Sequence, residues 1–244
     1  MNNMSEYHEW NGSRWEGTKK LSSWHFDPSR PPIPGKDSFT YVGRFNADFT
    51  EAIEQCMPKV KDSTWSTRNK DKIKDELYTA NAEEQDLINA GADPKMEIFS
   101  RTKADDVEQF QSIARALGVV NADIKFHNQR TGQMLVTHID NFAARVEREN
   151  SFKVTELDKN PELIRRFAIM LADWEIGQIW QIGNATWTQW KAGDCITWEW
   201  QDMPHATCNM GWHDRPLCQI TGYVTPTTQT LLDATSVDRV INLS

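Results

Sequence analysis

The chain has 244 residues and a formal net charge of −8, with 39% hydrophobic and 25% charged residues. This is the make-up of an ordinary soluble globular protein, long enough to bury a substantial core. Its acidity argues against nonspecific binding to nucleic acid, which needs a basic surface, and no apolar run approaches the roughly 20 residues that span a bilayer.

Residues 1–16 are polar and show no apolar stretch behind a basic start, so neither a secretory signal nor a transit peptide is expected, and the expected location is the cytosol. The four cysteines, Cys56, Cys195, Cys208 and Cys218, form no C-x-x-C pair, which points to buried free thiols rather than a zinc ribbon or a disulfide framework. Residues 1–35 combine Trp10, Trp15, Trp24 and Phe26 with the closing run Pro31-Pro32-Ile33-Pro34-Gly35, and an extended arm laid over the domain is expected there. Residues 38–45 read as a strand. Residues 46–57 read as a helix, with Phe49, Ile53 and Cys56 at helical spacing. The highly charged stretch 62–92 is expected to mix helix with exposed loop. The clearest helix is 104–117, where Val107, Phe110, Ile113, Ala114 and Leu117 make one apolar stripe and Gly118 terminates it.

After Gly118 the texture changes. Short β-rich runs are expected at 122–127, 134–137, 142–146, 152–156, 167–171, 178–182, 186–190, 195–200, 205–209 and 216–224, separated by turn signals such as Thr131-Gly132 and Gly183-Asn184. Many short strands with regular turns indicate a sandwich or barrel. The fold expected is mainly β with α additions, a double-stranded β-helix (jelly roll, cupin-like) core with N-terminal helices packed on it. One domain is expected, with an N-terminal arm and helical part over 1–118, the core over 119–224 and a C-terminal extension over 225–244. Seven of the eleven tryptophans lie between Trp174 and Trp212; they serve either sheet packing or an aromatic-lined substrate pocket.

Thr137-His138-Ile139-Asp140 places an imidazole and a carboxylate two residues apart, and on an extended chain such positions face the same side. His205 begins a late strand in Pro204-His205-Ala206-Thr207. Two histidines and one carboxylate on one face make the facial triad of non-haem Fe(II) oxygenases, which leaves coordination positions open. Arg215 follows His205 by ten residues, and its planar fork suits the far carboxylate of a diacid. The intervening turn Met210-Gly211-Trp212-His213 is expected to put the His205 and Arg215 strands in opposing sheets.

Over about 124–224 these elements resemble the 2-oxoglutarate/Fe(II)-dependent dioxygenase superfamily. The run Thr131-Gly132-Gln133-Met134-Leu135-Val136-Thr137-His138-Ile139-Asp140 is similar to the entry strand of prolyl-hydroxylase-like members. Ala192-Gly193-Asp194-Cys195-Ile196-Thr197-Trp198 is similar to the turn and strand before the distal histidine, and Pro204-His205-Ala206-Thr207-Cys208-Asn209 with Arg215 to that histidine and its arginine. The resemblance is to small bacterial and phage-type members. It implies Fe(II) on His138, Asp140 and His205, 2-oxoglutarate as co-substrate held by Arg215, and O2. The reaction implied is hydroxylation of a small-molecule or peptide substrate with release of succinate and CO2. Asn128, Gln129, Trp180 and Asn209 are candidate pocket residues.

The chain departs from the pattern in places. Leu217 stands where some members carry a Ser or Thr two residues after the arginine. Residues 215–221 lack the R-x-N-x-T-x-R of nucleic-acid demethylases, and Gln129 stands where a tyrosine is common. His213 is the rival distal ligand, and Arg165 and Arg166 are rival carboxylate anchors, otherwise expected to face solvent or pair with Glu162 and Glu175. Two other classes stay open: a non-catalytic jelly-roll binding module, and a cupin-type metalloenzyme that does not use 2-oxoglutarate.

Overall fold

The computed structural model describes residues 31–64, 88–89, 91–93, 95–138, 163–199, 203–234 and 238–243. Most of the expected N-terminal arm, most of the charged stretch 62–92, the expected strands 142–146 and 152–156, and Asp140 lie outside the described residues.

The strands in chain order are β1 (Thr40–Asn46), β2 (Lys61–Thr64), β3 (Glu97–Lys103), β4 (Val120–Gln129), β5 (Met134–His138), β6 (Ile164–Met170), β7 (Gln178–Ile182), β8 (Ala185–Trp187), β9 (Asp194–Thr197), β10 (His205–Asn209), β11 (Arg215–Tyr223) and β12 (Val240–Asn242). The helices are α1 (Thr50–Cys56), α2 (Glu108–Ala116) and α3 (Pro226–Asp233). The large sheet has the order β12-β1-β9-β6-β11-β4-β3-β2, and the small sheet β5-β10-β7-β8. β10 and β11, joined by the turn at 210–214, lie in opposite sheets, as a double-stranded β-helix requires.

Alternation along the central strands sorts the core into two layers. Cys218 and Ile220 of β11, Phe167 and Ile169 of β6, Ile124 and Phe126 of β4 and Cys195 of β9 join Phe110, Ile113 and Ala114 of α2 in one buried cluster. Leu217, Ala168, Met170, Ile196 and Trp198 turn the other way and pack with Trp180, Ile182 and Trp187 of the small sheet. The large sheet is thus covered on both faces at its centre, which is why β6 and β11 are buried along nearly their whole length with no exposed alternate face.

Two expectations need correction. The N-terminal part holds more strand than expected: besides β1, which matches the strand read at 38–45, β2 and β3 extend the large sheet, with β3 paired to β4 and β2 at the edge. Lys61 and Asp62 point to solvent while Ser63 is buried, and charged side chains are what an edge strand carries. The helix expected from 104 starts at Glu108, because Val107 is extended (φ −88, ψ 108) and the Ala104 N–H donates to the Ile124 carbonyl. The apolar stripe therefore straddles a strand end and a helix. The C-terminal segment supplies α3 and β12, the latter pairing parallel to β1. Among the described residues, no helix is long and apolar enough to cross a membrane.

Gly193 opens β9 at φ +89, its N–H donating to the Met170 carbonyl and its carbonyl accepting from the Phe45 N–H. A Cβ there would meet the Phe45 carbonyl oxygen at 2.1 Å. Gly193→Ala is expected to lower stability by about 2–3 kcal/mol, seen as a fall in the urea midpoint at unchanged slope; an unchanged midpoint would show that the turn relaxes freely.

Candidate metal centre

His138 ends β5 and His205 begins β10, and the two residues are paired directly across the ladder. Their ring centroids are 4.2 Å apart, and they are 2% and 3% exposed. Two imidazolium charges at that separation would repel by about 4 kcal/mol even at an effective dielectric constant of 20, so the pair is built for neutral rings or for a shared cation.

The backbone fixes the tautomer. His138 Nδ1 lies 2.9 Å from the Val136 carbonyl oxygen, and His205 Nδ1 lies 3.1 Å from that of Met203. A carbonyl only accepts, so each Nδ1 carries the hydrogen and each Nε2 the lone pair. A ring N–H held by a backbone carbonyl, with the other nitrogen left bare, is the usual arrangement of metal-ligating histidines. The donor set therefore fits a borderline divalent ion with imidazole affinity. Trp198, at 5.1 Å between ring centroids, packs beside His205.

Arg215 begins β11 in the opposite sheet and faces the same compartment. Its guanidinium carbon sits 5.4 Å from the Trp180 ring centroid, a cation–π contact. The side chain is buried, and Nε and Nη1 have no hydrogen-bond partner. Burial pushes its pKa down to about 10, which leaves it charged at neutral pH. A cation enclosed in this way needs an anion to complete it.

Gln129 of β4 is paired with Arg215 across the ladder. Its Nε2 donates to the Ile98 carbonyl and to Thr207 Oγ1 of the small sheet, each at 3.1 Å, while Oε1 is buried without a hydrogen-bond partner. Trp180 likewise carries a buried, unpartnered indole N–H.

The remaining candidates behave differently. Asn128 alternates to the opposite face of β4 from Gln129 and donates to Asp214 Oδ2 at 2.7 Å. Asn209 locks the β10–β11 turn: its amide donates to the Gln129 and His213 carbonyls and accepts from the Gly211 N–H. His213 is exposed in that turn. Arg165 pairs with Glu199, and buried Arg166 donates from Nε to Thr221 Oγ1 at 3.3 Å. Thr207 and Trp198 were not singled out from the sequence. Thr207 was findable, because it stands two residues after His205 on one strand and so shares its face.

No protein-family model matches the chain, and no curated protein matches it. Solved structures resemble it weakly. The non-haem α-ketoglutarate-dependent epimerase SnoN of nogalamycin biosynthesis aligns at 12% identity and a TM-score of 0.38, over 65% of this chain and 78% of that one. A predicted oxalate decarboxylase from Thermotoga maritima aligns at 11% identity and 0.32, over 53% and 84%. A Klebsiella pneumoniae protein with a double-stranded β-helix domain aligns at 14% identity and 0.28, over 43% and 70%. At these values the likeness carries no assignment of activity or of residue roles.

With no anion present, the Arg215 charge opposes folding. Arg215→Met keeps an unbranched side chain against Trp180 and removes the charge. It is expected to raise the unfolding free energy of the ligand-free protein by about 1–4 kcal/mol, measured by urea titration; a lower midpoint would mean that the guanidinium is already satisfied.

Proposed function

We propose that this protein is an Fe(II)- and 2-oxoglutarate-dependent oxygenase that hydroxylates a small-molecule or peptide substrate, releasing succinate and CO2. The observation that carries the reading is the facing of two groups across one compartment. On one wall stand two adjacent imidazoles with their Nδ1 atoms bound to backbone carbonyls. On the other stands a buried guanidinium whose Nε and Nη1 have no hydrogen-bond partner. A ligand that chelates a metal through one end and presents a carboxylate at the other satisfies both.

His138 and His205 supply two Nε2 ligands, and the Asp140 carboxylate, two residues beyond His138 in the sequence, supplies the third. Bound ferrous iron contributes the oxygen activation and the oxidising power. The chain's own part is positioning. The Val136 and Met203 carbonyls hold the ring protons on Nδ1. Arg215 orients the diacid by charge-assisted hydrogen bonds to its second carboxylate. Trp180 and Trp198 wall the site with buried aromatic surface, which excludes water and strengthens the charge pairing inside.

The test is anaerobic addition of Fe(II) and 2-oxoglutarate, with the visible charge-transfer band as readout. A band is expected in the wild type and not in His205→Ala. Arg215→Ala is expected to retain the metal and to weaken 2-oxoglutarate binding by about 2 kcal/mol or more, the scale of a buried charged hydrogen bond. Metal binding with no response to 2-oxoglutarate would favour a cupin-type metalloenzyme, and no binding of either a non-catalytic module.

A further inference from the structure

The compartment that holds the imidazole pair opens at one end onto the large sheet. Thr207 of β10 is level with Gln129 of β4, since the two bond across the gap. One step of two residues away from the β10–β11 turn, about 6.6 Å, brings His205 level with His127 and its ladder partner Leu217. The described strands of the small sheet stop there: β5 ends at His138, β7 ends at Ile182 and β10 begins at His205. The large sheet runs on. In its next layer Lys103 pairs with Lys125, and Lys125 with Gln219. In the layer after that Asp123 pairs with Thr221, and Thr221 with Arg166. These side chains share the face of Gln129 and Arg215, because positions two apart on a strand point the same way. Ile124, Phe126 and Phe167, which alternate with them, pack on the helix side.

The chemistry of this open face is one-sided. Lys103 and Lys125 stand directly opposite each other, and like charges in that position destabilise a sheet. Arg101 joins them from the layer of His127, and Arg166 from the far layer. These layers thus hold four Lys or Arg side chains against one carboxylate, Asp123, among the described residues, in a chain whose net charge is −8. The two innermost heads are enclosed and held: Lys125 is 8% exposed and donates to Asp123 at 2.6 Å, and Arg166 is 7% exposed and donates to Thr221 at 3.3 Å. A cleft wall of one sign concentrates ligands of the opposite sign at its mouth, and a bound anion would relieve the repulsion between the paired lysines.

We infer that the substrate oxidised at this centre is a small organic acid whose anionic head, a carboxylate or a phosphate, is held by Lys125 and Arg166, with Arg101 and Lys103 at the rim; this rests on the oxygenase reading above. The head lies one to two layers beyond the imidazoles, about 7–13 Å along the strands, so the carbon presented to the metal is several bonds from the acid group. Arg215 lies one layer to the other side of the imidazoles, so the substrate's anion and that of the co-substrate do not compete for one guanidinium.

The test is an anaerobic titration of the full chain, loaded with Fe(II) and saturating 2-oxoglutarate, with hexanoate, hexyl phosphate, hexanamide and hexylamine, read by calorimetry and by the shift of the charge-transfer band. Wild type is expected to bind hexanoate or hexyl phosphate at least about tenfold more tightly than hexanamide, the scale of a charged hydrogen bond, and hexylamine most weakly; the tighter of the two anions identifies the head group. Lys125→Met and Arg166→Met are expected to bring that ratio close to one, and Lys103→Glu to lower it through repulsion at the rim. Arg166→Lys is expected to keep most of the ratio, and Lys59→Met, a surface change beside Asp106, all of it. Equal affinity for anions and amide, no binding of either anion, or a ratio unmoved by Lys125→Met and Lys103→Glu overturns the inference and leaves the oxygenase reading intact. Absence of a charge-transfer band before any probe is added sinks that reading and the inference with it. Should Arg166→Met fail to fold, the wild-type ratio and the exposed Lys103→Glu decide.

Discussion

A positive charge sealed inside protein is the constraint around which this molecule is arranged. Arg215 is buried at the start of β11, and the contact nearest to a counter-charge is the face of Trp180. A cation–π contact of this kind is worth about 2 kcal/mol when desolvated, whereas the effective penalty of burying an ion is several kcal/mol. The deficit is sustained because β11 lies in the middle of the large sheet, hydrogen-bonded to β4 on one side and β6 on the other. The sheet's stability carries a group that on its own would be driven to the surface.

Rigidity around that group comes from aromatic packing. Trp198, Trp180, Trp187 and Trp190 form a continuous chain, with centroid separations of 5.5, 6.1 and 5.2 Å between successive rings. Edge and tilted contacts of this kind add to simple burial. The two readings of the tryptophans divide by residue: Trp187 and Trp190 pack the core away from the imidazoles, while Trp180 and Trp198 do so and also touch Arg215 and His205. Trp212, on the β10–β11 turn, belongs to neither group, at 86% exposed.

Much of the core was legible because its strands are short and bounded by turn residues. The runs at 178–182 and 205–209 coincide with β7 and β10, and the Met210-Gly211-Trp212-His213 turn separates β10 from β11 as its composition suggests. Strand β2 was not read, since charges on an exposed edge hide the two-residue period, and β3 was not read because Ile98, Phe99 and Ser100 are buried in succession and show no alternation. Of the site, spacing put His138 and His205 on strands, and only the jelly-roll expectation, with the resemblance beside it, put Arg215 on the strand facing them. Burial without partners could not be read, because it is a property of what surrounds a side chain and not of its spacing. For the same reason Asn128 and Asn209 looked like pocket residues, when one alternates to the far face of β4 and the other serves a turn.

The thiols carry a consequence of their own. Cys56, Cys195 and Cys218 lie in the layer between the large sheet and its helices, and Cys208 is half-buried on β10. Burial pushes the Cys56 pKa up to about 11 and holds those of Cys195 and Cys218 well above the usual thiol value. A thiol that is neither ionised nor reachable reacts with an alkylating reagent only when the structure around it opens. The helix-side core thus contains its own chemical clock: the pace at which those three sulfurs are capped measures how often the large sheet parts from its helical cover.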